Sequence, residues 1–263
     1  MKFKVVIATR NAADYLDLCL YSLKKYALEE HEYHIILDDC QDHTEEVCKK
    51  YQVNYYSVNF HNPYKVLNYV EEFLDLNKDF YFFLSADDMF ASPNWDRNML
   101  AHHKKPKDAV WASQLTDYLL YQAYQEALSS NPSLTLQDFA VYWGKSGINM
   151  DFGECGTTYD VFNEEIFLHK YNILNNSGYY YHPDHSVNEY VRCNANLLIL
   201  SSFYKELGGW PDSTVQAEDP RCGNNDLLFQ DMVQESGGRN IVPKDVLFFH
   251  FGGRNINRDK RKD

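Results

Sequence analysis

Three short apolar runs constrain this chain most: Val5-Val6-Ile7-Ala8, Tyr33 to Leu37, and Phe80-Tyr81-Phe82-Phe83-Leu84. The most hydrophobic of them, Phe80 to Leu84, is expected to be buried on both faces as a central strand, and segments of helical period lie between the three. From Asn11 onward Tyr15, Leu18, Cys19, Leu23 and Tyr26 recur at three- and four-residue spacings, with Asn11 the expected N-cap and Asp14 near the positive end of the helix dipole. Thr44 to Lys50 predicts a second helix and Val53 to Val58 a further strand. His61-Asn62-Pro63 opens a third helix with Val66, Leu67, Val70, Phe73 and Leu74 as its apolar stripe. Ser92-Pro93-Asn94-Trp95 reads as a helix start with Pro at the first position, and Ala109 to Ser113 as another strand. Strands alternating with crossover helices predict an α/β architecture on a mostly parallel central sheet flanked by helices.

Beyond residue 113 the character changes. Residues 114 to 190 are rich in Tyr, Asn and His, with helical stretches at Tyr118 to Leu128 and Leu136 to Trp143 between polar loops, which predicts a helical and irregular insertion. Parallel-sheet logic is expected to resume at Asn196-Leu197-Leu198-Ile199-Leu200 and to end in the strand Val246 to Phe249 before His250. Residues 1–263 thus read as a single domain in three parts, 1–113, 114–195 and 196–263.

Composition narrows the partners. A content of 44% hydrophobic and 16% aromatic residues supplies a core, while 25 basic against 38 acidic residues give a net charge of −13. Such a surface repels nucleic acid and anionic lipid, so no nucleic-acid partner is expected. No window approaches a membrane-spanning apolar length and no signal-peptide core follows Met1-Lys2-Phe3-Lys4, which predicts a soluble, cytoplasmic protein without an integral membrane segment. Six scattered cysteines with no CxxC pair favour neither a zinc site nor a disulfide framework.

In open α/β sheets, ligands bind beyond the carboxyl ends of the parallel strands. Three predicted strand ends carry polar clusters: Thr9-Arg10-Asn11, Asp38-Asp39 and Ser85-Ala86-Asp87-Asp88. Any one of them is ordinary turn chemistry; together they place polar side chains from distant positions on one rim. Adjacent carboxylates such as Asp87 and Asp88 repel unless a cation lies beside them, and hard oxygen ligands suit Mg²⁺ or Mn²⁺, which in turn bridge to a diphosphate.

The order of strand, Thr9-Arg10-Asn11, helix with Leu16 and Ser22-Leu23, strand, Asp38-Asp39, then Leu84-Ser85-Ala86-Asp87-Asp88 resembles the nucleotide-binding half of GT-A-fold glycosyltransferases, family 2 above all. The later run Gly208-Gly209-Trp210-Pro211-Asp212, Asn225-Asp226, Gly237 and His250-Phe251-Gly252-Gly253 is similar to the acceptor half. The resemblance leaves out roughly residues 114 to 190. It implies a metal-assisted, inverting transfer of a sugar from a nucleoside-diphosphate sugar to an acceptor hydroxyl, with a UDP-sugar the expected donor and a glycan, glycolipid or protein the acceptor. The alternative is a sugar-nucleotide or glycan-binding module without catalysis.

What the resemblance implies carries over position by position. Thr9, Arg10 and Asn11 line the donor pocket, Asp38 or Asp39 bonds base or ribose, and Lys65 is a candidate for the donor phosphates. Asp87 matches the metal-binding second acid of the DxD motif, and Ser85 replaces the first acid, with Ala86 between them. Asp88 and His250 are further candidate metal ligands. Asp226 is the expected catalytic base, although Asn225 stands where the family has Glu; Glu218-Asp219 offers the literal acid pair, and Asp219 is an acceptor-side candidate. Gly209 and Trp210 are placed beside the acceptor, and Trp143 and Tyr179-Tyr180-Tyr181-His182 are candidates for stacking on sugar rings. A nucleotidyltransferase is disfavoured, because Thr9-Arg10-Asn11-Ala12-Ala13 has no glycine.

Overall fold

The computed structural model describes residues 1–115, 164–165, 167–168, 171–172, 196–211, 225–243 and 245–251. In chain order the first elements are β1 (Phe3–Thr9), α1 (Ala13–Tyr26), β2 (Glu32–Asp38), α2 (Thr44–Tyr51), β3 (Asn54–Val58) and α3 (Pro63–Asn68). They are followed by β4 (Tyr81–Ala86), β5 (Met89–Ala91), α4 (Trp95–His102), β6 (Asp108–Trp111) and β7 (Ser113–Leu115). The later part supplies β8 (Leu197–Leu200), α5 (Ser201–Glu206), α6 (Asn225–Glu235), β9 (Arg239–Ile241) and β10 (Leu247–His250).

Seven strands form the central sheet in the order β3-β2-β1-β4-β8-β6-β9. The apolar runs split by residue parity, as a strand buried on both faces requires. Val5, Ile7, Ile35 and Phe83 pack with Leu16, Leu20 and Leu23 of α1 and Trp95 and Met99 of α4. Val6, Ile36, Phe82 and Leu84 pack on the other side with Val66 and Leu67 of α3, Phe203 and Tyr204 of α5, and Phe229 and Val233 of α6.

Three sequence expectations change here. β8 runs antiparallel to both of its neighbours, β4 and β6, rather than resuming the parallel direction. An apolar run buried on both faces satisfies its burial in either orientation, so its direction is settled by the connections. β10 leaves the central sheet and joins a small one in the order β5-β10-β7, antiparallel to β5 and parallel to β7. The helix expected to start with Pro93 begins instead at Trp95, after Asn94 at φ 59°. Tertiary bonds set that start: the Trp95 indole N–H donates to the Leu23 carbonyl at 3.0 Å, and the Asn94 N–H to the Tyr26 carbonyl at 2.8 Å.

Behind the small sheet, Phe90, Phe249 and Phe251 pack with Phe167 and Tyr171, and Glu164 accepts hydrogen bonds from Tyr21 and Lys25 of α1, each at 3.0 Å. The part of the expected insertion that is described is thus anchored to α1. Its helical stretches at 118–128 and 136–143, and residues 179–182, lie outside the described residues. Among the described residues no helix is long and apolar enough to cross a membrane.

Candidate active site

Strand order reverses between β1 and β4, since β2 and β3 extend the sheet on one side of β1 and β4 on the other. At this switch point lies a cavity of about 230 Å³. Ala8, Thr9 and Arg10 line it from the end of β1, Asp38 from the end of β2, and Asp87 from just past β4. His61 and Val66 close it from the β3–α3 side.

The hydroxyl of Thr9 is buried there without a hydrogen-bond partner among the described residues. A buried polar atom left unpaired is costly, and at a cavity wall a ligand can supply the missing bond. Asn11, at φ 47°, turns the chain into α1 but does not cap it: the N-cap is Ala12 and has no side-chain cap bond. The cap comes from the neighbouring loop, where Asp42 accepts from the Ala13 N–H at 3.1 Å, while the Asn11 side-chain oxygen accepts from the Gln41 N–H at 2.7 Å. The loops after β1 and β2 are thereby tied together.

Asp38 and Asp39 diverge. The carboxylate of Asp38, 5% exposed, accepts the backbone N–H of Phe60 at 2.8 Å and of His61 at 3.1 Å, bracing the loop that closes the cavity. Asp39, at φ 52°, turns to the rim, where its carboxylate lies 3.0 Å from His61 Nε2. Lys65 is exposed on α3, away from the cavity lining. Asn62 caps that helix by accepting from the N–H groups of Tyr64 and Lys65, with Pro63 in its first turn as expected.

Asp87 is 5% exposed and Asp88 half-buried. Burial pushes the thiol of Cys19 well up, and the negative charges of Asp87 and Asp88 push it further. The hydroxyl of Ser85, expected to stand in place of the motif's first acid, is buried 3.0 Å from Asn196 Oδ1 and 3.0 Å from the Ala86 carbonyl. Pairing of β5 with β10 sets the backbone of His250 opposite Met89, and the Phe251 N–H donates to the Asp88 carbonyl at 3.0 Å. The chain segment bearing His250 therefore runs beside the acid pair. Asp87 and Asp88 are the residues that would hold a hard divalent cation here, since adjacent carboxylates offer the oxygen ligands such an ion takes. Among the described residues no three His, Cys, Asp or Glu side chains converge as a ready-made metal cluster.

The acceptor-side candidates sit elsewhere. Gly208 and Gly209, both at φ 81°, end α5 in a turn clamped by Asn68. Asn68 accepts from the Trp210 N–H at 2.7 Å and donates to the Trp210 carbonyl at 2.8 Å. Trp210 is 3% exposed and its ring stacks on Phe229 of α6 at 4.6 Å, so it supports the surface from beneath. Asp226 lies in the first turn of α6, half-buried, and burial pushes its carboxyl up to about 7. Asp219 lies outside the described residues, as do Gly252 and Gly253.

The fold thus brings Thr9, Arg10, Asp38 and Asp87 into one cavity and leaves Lys65, Gly209, Trp210 and Asp226 off its lining. Sequence reading took His61 only as part of a helix start. The available signal was its place in the loop leaving a fourth strand at the same rim.

Residues 4–157 match the sequence model of the family described as Glycosyl transferase family 2. Among solved structures, that of S. aureus TarS 1-349 is similar over 95% of this chain and 60% of its own, with a TM-score of 0.51 at 14% identity. GalNAc-T7 with UDP, GalNAc and Mn²⁺ is similar over 95% of this chain and 44% of its own, with a TM-score of 0.55 at 11% identity. The mannosyltransferase PcManGT from Pyrobaculum calidifontis, in complex with GDP-Man and Mn²⁺, is similar over 95% of this chain and 56% of its own, with a TM-score of 0.54 at 13% identity. At such identities the likeness is one of fold, the GT-A fold. The chain spans 60% or less of the length of these three proteins. No curated protein matches it.

Proposed function

Since this chain belongs to glycosyl transferase family 2, we propose that it transfers a sugar from a nucleoside-diphosphate sugar to an acceptor hydroxyl, with inversion at the sugar carbon. The observation that carries this reading is the switch-point cavity, where the unpartnered Thr9 hydroxyl, Asp38 and Asp87 share one wall. In the proposal the nucleoside lies against Thr9, Arg10 and Asp38 and the diphosphate toward Asp87. UDP and GDP-Man stand in the solved complexes of two similar proteins, and a UDP-sugar is the donor proposed here.

Asp87, with Asp88 and His250 as further ligands, is the proposed holder of Mn²⁺ or Mg²⁺. Such a cation offsets the charge that develops on the departing diphosphate. Asp226 takes the proton of the acceptor hydroxyl as its oxygen attacks the sugar carbon and the bond to the diphosphate breaks on the opposite side. A carboxyl pushed up to about 7 by burial is well matched to proton transfer near neutral pH. The Gly209 turn and the Trp210–Phe229 stack hold the start of α5's exit and the body of α6 together on this side. The acceptor is a glycan, glycolipid or protein hydroxyl, and the proposed setting is the cytoplasm.

Thermal shift with UDP and with GDP, each with and without Mn²⁺, tests the reading. We expect stabilisation by one nucleotide that requires Mn²⁺ and disappears in Asp87→Ala; at ligand near 100 Kd the gain is about 2.7 kcal/mol. Full metal-dependent binding and transfer in Asp87→Ala would sink the assigned metal role. The burial of Ser85 against Asn196, where a first acid is missing, favours a second reading as a binding module without catalysis. Transfer or donor hydrolysis that is lost in Asp226→Asn excludes it.

A further inference from the structure

We propose that His61 is a positioning residue for the donor: as a neutral imidazole braced by Asp39, it fixes the Arg10 guanidinium at the nucleobase end of the cavity. The inference rests on the donor reading above and adds to it a residue that reading did not use.

Arg10 Nη2 lies 2.9 Å from His61 Nδ1, and His61 Nε2 lies 3.0 Å from Asp39 Oδ2. A guanidinium has donors only and stays charged, so Nδ1 accepts. The ring proton therefore sits on Nε2 and is donated to Asp39. Arg10 Nη2 is itself 4.0 Å from the same Asp39 oxygen, which closes a ring of three side chains from three separate loops. The backbone holds His61 in this role. Its N–H donates to Asp38 at 3.1 Å, and its φ of 49° lies in the left-handed region that few non-glycine residues occupy.

Position in the sheet says which end of the donor is served. Asp87 follows β4, His61 follows β3, and β1 and β2 lie between those strands. A diphosphate held at Asp87 leaves the nucleoside on the β2–β3 side, where the five-donor guanidinium of Arg10 meets the carbonyl oxygens of a base. Both ring nitrogens of His61 are already engaged, so the imidazole serves through Arg10.

Calorimetric titration of UDP and of GDP, each with Mn²⁺, into the full chain and its variants tests this at about pH 8. His61→Asn tolerates the left-handed backbone and keeps a side-chain oxygen to accept from Arg10. His61→Gly keeps the backbone and removes the acceptor. We expect His61→Gly and Arg10→Ala each to weaken the tighter nucleotide about tenfold, with the double variant no weaker than either single one. His61→Asn should restore affinity to within about threefold of wild type. Unchanged affinity in His61→Gly, additive losses in the double variant, or a loss in His61→Asn as large as in His61→Gly would each overturn the proposal. A wild-type chain that binds neither nucleotide overturns the donor reading and this inference with it.

Discussion

Gly208 and Gly209 form a natural controlled comparison, because both stand at φ 81° and only one has a neighbour. A Cβ on Gly208 meets nothing within 4 Å, whereas on Gly209 it would lie 2.5 Å from Asn68 Oδ1. Gly208→Ala therefore carries only the left-handed backbone penalty, about 1 kcal/mol. Gly209→Ala carries the same penalty and must also displace a carboxamide that makes three hydrogen bonds, two to the Trp210 backbone and one from the Tyr204 hydroxyl at 3.1 Å. At about 1 kcal/mol net for each bond, the total is roughly 4 kcal/mol. For a domain of this size 1 kcal/mol moves the melting temperature by about 2–4 °C, so the expected falls are about 3 °C and about 12 °C. Calorimetric melting, checked by urea unfolding followed through tryptophan fluorescence, measures both. Because Trp210 stacks on Phe229 of α6, Gly209→Ala should also reduce transfer by disturbing the helix that begins next to Asp226. Equal destabilisation by the two substitutions would refute the Asn68 clamp as a source of stability.

Asp226→Asn is expected to lower transfer at least 100-fold while sparing nucleotide binding, measured by coupled assay and titration calorimetry. It should also stabilise the fold at about pH 8. The folded carboxyl, raised by burial to about 7, binds protons that an unfolded one near 3.8 has released, so stability falls as pH rises between those values and the amide escapes that loss, by a few kcal/mol. Asp96 has the opposite sign. Its burial would raise the carboxyl, but hydrogen bonds from His31 and from the N–H groups of Leu28, Arg97 and Glu29 hold it down at about 2. Its contribution, about 2 kcal/mol, is present above the unfolded value and lost as pH falls through about 2. Urea midpoints across acid pH should show that slope in wild type and not in Asp96→Asn.

Much of this was legible in sequence because it depends on neighbours along the chain. The apolar run of β4 states its own two-sided burial, Asn62-Pro63 states a helix start, and the polar residues that end β1, β2 and β4 reach one cavity because parallel strands share a carboxyl edge. Direction and partnership depended on residues far apart in sequence. Leu197–Leu200 reads the same whether it runs parallel or antiparallel, and Leu247–His250 is an apolar strand whichever sheet accepts it. Asn11 had the composition of a cap, yet Asp42 from another loop reached the helix first. Trp210 looked like a surface for a ligand until the stack on Phe229 took it into the core. His61 became part of the site only when loops from three strands met around it. Residue type and spacing determine period, burial and the supply of charge, whereas which distant group satisfies each hydrogen bond is decided by packing, where many local choices are nearly equal and the assembled core selects among them.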